Sequence, residues 1–130
     1  MVMSIMTKAA TRIATIDALQ RYDLVYIATP YSKYPKGMGM AFAEAASITC
    51  QLMLAGIKGY SPIAHTHPLA IYGNVDAGNH DVWLPFDQAM MNKSDAMCII
   101  MMEGWKESKG ITHEIEYFNK AAKPIYYLAA

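Results

Sequence analysis

Ala96-Met97-Cys98-Ile99-Ile100-Met101-Met102, followed after a short loop by Ser108-Lys109-Gly110-Ile111-Thr112-His113-Glu114, decides the fold. The first stretch is continuously apolar, as a strand covered on both faces of a parallel sheet must be. The second opens a helix-like run that ends before Lys123-Pro124. A strand, a Gly-containing turn and a helix start therefore meet here. A helix start presents unpaired backbone N–H groups and a partial positive charge, which suits an anion. Ser108 is a good N-cap residue, and Gly110 allows a ligand close to the backbone. At about 100° per residue, Ile111, Ile115, Phe118 and Ala122 form one apolar stripe. Glu114 lies roughly 60° from its centre, whereas Glu116 points well away. A carboxylate at the edge of a buried face is costly to desolvate. Two readings fit it: a boundary residue that snorkels or pairs with a cation, or a functional carboxylate.

Working outward, Asp81 is expected to cap a helix running to about Asn92, with Pro85 tolerated near its start. Asp87 sits on it among Trp83, Phe86, Met90 and Met91, a second carboxylate in apolar company. Leu24 to Ala28 reads as a buried strand that breaks at Thr29-Pro30-Tyr31-Ser32. Lys33 to Gly39 is expected to be a loop, and Phe42 to Leu54 a helix stopped by Gly56. Lys33 and Lys36 are candidates to reach a phosphate, or are plain solvated loop residues. Ile57 to Ile63 is expected to form a second strand and to deliver Ala64-His65-Thr66-His67 to the same sheet edge. A strand would place both rings on one face, which invites a metal. No third ligand stands at a convincing spacing, and a polar pocket lining is the alternative reading. Residues 68–80 read as a long loop able to act as a lid. Ile125 to Leu128 is the last strand, and residues 9–21 a modest helix covering an edge or a partner.

The order β-α-β-loop-α-β-α-β predicts an α/β three-layer sandwich with a parallel sheet of 4–5 strands, Rossmann-like or flavodoxin-like. In such sheets ligands sit beyond the strands' carboxyl ends. Residues 1–21 form an N-terminal extension and residues 22–130 one domain. Eleven basic residues balance eleven acidic ones, so no polyanion-binding field exists and a nucleic-acid polymer is not expected as partner. Cys50 and Cys98 lack metal spacing and read as reduced, buried, cytosolic residues. No apolar run reaches membrane-spanning length. The first sixteen residues, acid-free with Lys8 and Arg12, faintly resemble a transit peptide, but a plain extension is the preferred reading. There is no G-x-G-x-x-G after the first strand, no Walker A sequence and no nucleophile elbow.

Tyr26-Ile27-Ala28-Thr29-Pro30-Tyr31-Ser32 resembles the opening strand and loop of the nucleoside 2-deoxyribosyltransferase superfamily. Asp87, then Asp95, an apolar strand and Ser108-x-Gly110-x-x-x-Glu114 resemble its 2′-deoxynucleoside 5′-monophosphate N-glycosidase branch. With Ser61-Pro62-Ile63-x-His65-x-His67-Pro68 and Gly104-Trp105, the ensemble looks closest to the DUF1937 family within that superfamily, over roughly residues 22–128. The resemblance implies Glu114 as nucleophile toward C1′ of a sugar and Asp87 as the assisting carboxylate. It also implies that Ser108 and Gly110 hold a 5′-phosphate. Two positions depart from the pattern. Glu116 replaces a glycine that commonly follows the nucleophile, and Thr29 to Lys33 replace a Gly- and Arg-bearing loop.

The expected function is therefore an N-glycosidase acting on a nucleoside or nucleotide. Substrate contacts are expected from Thr29, Tyr31, Ser32, His65, His67, Ser108 and Gly110, with no cofactor or metal, in a cytoplasmic homo-oligomer. The rivals are a deoxyribosyltransferase, an inactive nucleotide sensor and a metal hydrolase built on His65, His67 and Asp81.

Overall fold

The computed structural model describes residues 8–130; the first seven residues of the N-terminal extension lie outside the described residues. The elements run α1 (Lys8–Leu19), β1 (Val25–Ala28), α2 (Met38–Leu54), β2 (Gly59–Tyr60), α3 (Pro62–Tyr72), α4 (His80–Lys93), β3 (Ala96–Met101), α5 (Lys109–Lys120) and β4 (Ile125–Ala129). All strands pair in parallel, in the order β2-β1-β3-β4.

Side-chain alternation along the strands builds two cores. Val25 and Ile27 of β1 join Cys98 and Ile100 of β3 under α1 and α2, through Leu19, Ile48 and Leu52. Tyr26 and Ala28, with Met97 and Ile99, face α4 and α5 through Met91, Ile111 and Phe118. The result is an α/β three-layer sandwich. Helix α1 lies along the edge strand β4, where the Arg12 guanidinium donates to the carbonyl of Ala129. Asp95 pins the entry to β1 by accepting from the backbone N–H groups of Asp23 and Leu24 at 3.0 and 3.1 Å. Among the described residues, no helix is long and apolar enough to cross a membrane.

Several elements differ from expectation. The strand expected over Ile57–Ile63 is only Gly59–Tyr60, and the chain turns at once into α3. Ser61 caps that helix by accepting from the Ala64 N–H at 3.1 Å, and Pro62 occupies its first turn. This Ser-Pro start signal outweighs the β-forming residues around it. Helix α3 then runs through Pro68 to Tyr72 and packs on α2, so the loop expected over 68–80 shrinks to 73–79. Helix α2 begins at Met38 and takes in Gly39, and Cys50, expected to be buried, is exposed on it. Helix α4 begins at His80 with Asn79 at its N-cap, so Asp81 lies in the first turn and does not cap it. Ala122, placed on the α5 stripe, falls in the turn after that helix and is exposed.

Candidate active site

The strand order reverses direction between β1 and β3, because β2 lies on one side of β1 and the later strands on the other. At such a switch point the connections leaving the two strands diverge and open a crevice. A cavity occupies this place, walled by the loop after β1, by α3 and α4, and by the start of α5. Of the residues expected to form a site, Thr29, Tyr31, Ser32, Asp87, Ser108, Gly110 and Glu114 all line it.

Ser108 caps α5, its side-chain oxygen accepting from the Ile111 N–H at 3.2 Å. This cap fixes the phase of the helix, with Ile111 and Phe118 buried against the sheet and Glu114 turned to the cavity. Tyr26, buried in the middle of β1, donates its hydroxyl to Glu114 Oε2 at 2.8 Å. Burial drives the carboxyl of Glu114 up from 4.5 to about 8; the Tyr26 hydrogen bond opposes this shift and the charge of Asp87 adds to it. Burial raises Asp87 to about 6, and its Oδ1 is buried without a hydrogen-bond partner. The two carboxyls therefore share one cavity, and the charge of Asp87 is felt at Glu114. Tyr26 is held protonated by its burial, then by the nearby charges of Glu114 and Asp87. It serves as a fixed donor to Glu114.

Tyr26 is a site residue that sequence reasoning passed over. Its signal is a phenol in an otherwise aliphatic buried strand, since a buried Tyr hydroxyl needs a partner. His80 and His113 also line the cavity without having been expected there.

His65 and His67 are not among the cavity's lining residues. On a helix, residues two apart point about 200° from each other, so these rings face opposite ways instead of sharing the strand face expected for them. His65 accepts or donates at 3.1 Å with Tyr60 and packs on Phe86. His67 stacks on Phe42 at 4.6 Å and hydrogen-bonds Tyr31 at 2.6 Å. The geometry that made them a candidate metal pair is absent. His67 instead supports the cavity wall through Tyr31. The loop over 73–79 contributes Ala77 to the cavity and is tied down by the Trp83 indole, which donates to the Asp76 carbonyl at 3.2 Å.

Gly104 locks the segment leading into α5 to the loop after β1. It has φ +91°, and a Cβ there would sit 2.4 Å from the carbonyl oxygen of Lys33. Gly104→Ala is expected to destabilise the fold by about 2–3 kcal/mol, from the left-handed backbone and the clash together. A urea titration that leaves the midpoint unchanged would contradict this contact.

A family model described as a domain of unknown function, DUF1937, matches residues 23–130. The chain belongs to the DUF1937 family. No curated protein matches it. The DUF1937 match begins just before β1, so it contains the whole sheet and every cavity residue named above, and leaves α1 outside.

Proposed function

We propose that this DUF1937 protein is an N-glycosidase that cleaves the base–sugar bond of a nucleoside or nucleotide through a glycosyl-enzyme intermediate. The observation that carries the reading is Glu114, oriented by the Tyr26 hydroxyl in the cavity that also holds Asp87. The resemblance of these residues to the nucleoside 2-deoxyribosyltransferase superfamily supports it. Cleavage passes through an oxocarbenium-like state that needs adjacent negative charge. The Glu114 carboxylate bonds to C1′, the C1′–N bond breaks, and its electron pair goes to the base, which takes a proton from Asp87. Water then gives its proton to the Asp87 carboxylate and attacks C1′. This releases free sugar and restores Glu114.

The test is a panel of nucleosides and nucleotides analysed by chromatography for free base and free sugar. Base and sugar in equal amounts are expected. A new nucleoside formed when a second base is added would make the enzyme a transferase. No base from any substrate, together with equal nucleotide binding by wild type and Glu114→Ala, would make it a sensor.

The proposal extends to a cytoplasmic homo-oligomer. Leu69, Ile71 and Tyr72 on α3 and Val82 and Phe86 on α4 are exposed, and apolar surface of this kind suits self-association. Light scattering is expected to give a multiple of the chain mass; a sharp monomer at high concentration would refute it. His67→Ala is expected to raise KM about tenfold with a smaller change in kcat. It removes one hydrogen bond that holds Tyr31 at the wall and leaves the carboxyls untouched.

A further inference from the structure

We infer that the ligand of this cavity is uncharged, a nucleoside taken in preference to its 5′-monophosphate. The inference rests on the N-glycosidase reading and narrows its substrate.

Among the described residues, the cavity is lined by two carboxyls, the imidazoles of His80 and His113 and several hydroxyls, but by no Lys or Arg. Lys33, Lys36 and Lys109 belong to segments that border the cavity, yet none of them lines it. A phosphomonoester binds tightly where cations or convergent donors meet it. Here its charge would instead enter a space already shared by Asp87 and Glu114.

The start of α5 does not reverse this balance. Its Ile111 N–H is already taken by the Ser108 side chain, which leaves the N–H groups of Lys109 and Gly110. A helix start carries only about half a positive charge, less than the one negative charge that the two carboxyls keep while they share a proton.

The unpaired atoms point the same way. Asp87 Oδ1 and Thr29 Oγ1 are buried without partners. An ionised carboxylate only accepts hydrogen bonds, as does a phosphate dianion, so the two cannot satisfy each other. A sugar hydroxyl both donates and accepts. It can give its proton to Asp87 Oδ1, and another can pair with Thr29.

The test compares the four 2′-deoxynucleosides with their 5′-monophosphates on the full chain, by base release and by ligand-observed NMR binding. Nucleosides are expected to be favoured in kcat/KM by about 30- to 100-fold, the size of a repulsion between unit charges roughly 6–8 Å apart at an effective dielectric near 20. Equal or faster cleavage of the monophosphates overturns this inference and leaves the N-glycosidase reading standing. If nothing is cleaved, that reading fails and binding decides the inference. Nucleosides binding more tightly than monophosphates uphold it; monophosphates binding as well or better, or neither binding, overturn it. His113→Arg, which places a permanent guanidinium at the cavity wall, is expected to narrow the preference by about tenfold. An unchanged ratio would defeat the electrostatic explanation.

Discussion

Glu114→Gln is expected to lower base release by at least about 10³-fold while the protein stays folded and keeps its ligand affinity. The amide retains the shape of the carboxyl and can still accept from Tyr26, but it cannot form the bond to C1′. Losses of this size follow removal of a covalent nucleophile whose neighbours remain in place. The wild-type pH profile is expected to report the same pair. With Asp87 near 6 and Glu114 near 8, one proton is shared between them across that interval. Most of this proton sits on Glu114, and the productive form is the minor one, with the proton on Asp87 and the charge on Glu114. kcat/KM should therefore be bell-shaped, falling below about 6, where both carboxyls are protonated, and above about 8, where neither is. Asp87→Asn should lose about 10²- to 10⁴-fold and show no alkaline limb, because no acid proton is left to lose. A flat profile, or Glu114→Gln at full rate, would remove Glu114 from the chemistry.

The second large effect is on stability. A carboxyl with a raised folded-state pKa keeps its proton in the folded protein after the unfolded chain has lost it. Between 4.5 and about 8 the folded state thus binds more protons, and stability falls as pH rises through that window. Above about 8 the full cost of the buried charge is present. Glu114→Gln carries no such charge. It should match wild type near pH 4.5 and exceed it at pH 9, by an amount of order 2–4 kcal/mol. For a chain of this size that is about 5–10 °C or more in Tm. Asp87 adds its own slope below about 6 in both proteins, so the divergence between 6 and 8 belongs to Glu114. Parallel melting curves for the two proteins across this range would show that the carboxylate is not buried at a cost.

The fold was legible where period and capping agree. The run from Ala96 to Met101 is apolar throughout because two helical layers cover it. The phase of α5 could be read because one cap and one stripe define it. The region from Ile57 to Asn79 was misread because β-forming residues, Gly59 and two prolines obscured a Ser-Pro helix start. That one error carried the histidines with it, since their relation to each other depends on the element they occupy. The carboxyl pair was legible as two acids in apolar settings. Their meeting followed from the family resemblance alone, because residue patterns do not give the strand order that brings α4 and α5 onto the same face of the sheet. Tyr26 was hidden for the same reason: its partner lies 88 positions away.

The contact of Gly104 with Lys33 also bears on how new specificities can arise on this scaffold. The segment after β1 and the segment after β3 are interlocked at one backbone position. Grafting a foreign sequence into either would place a side chain or a displaced carbonyl where the other must pass. Chimeras that exchange both segments together should express and fold, whereas single grafts should be recovered only when they carry a compensating glycine.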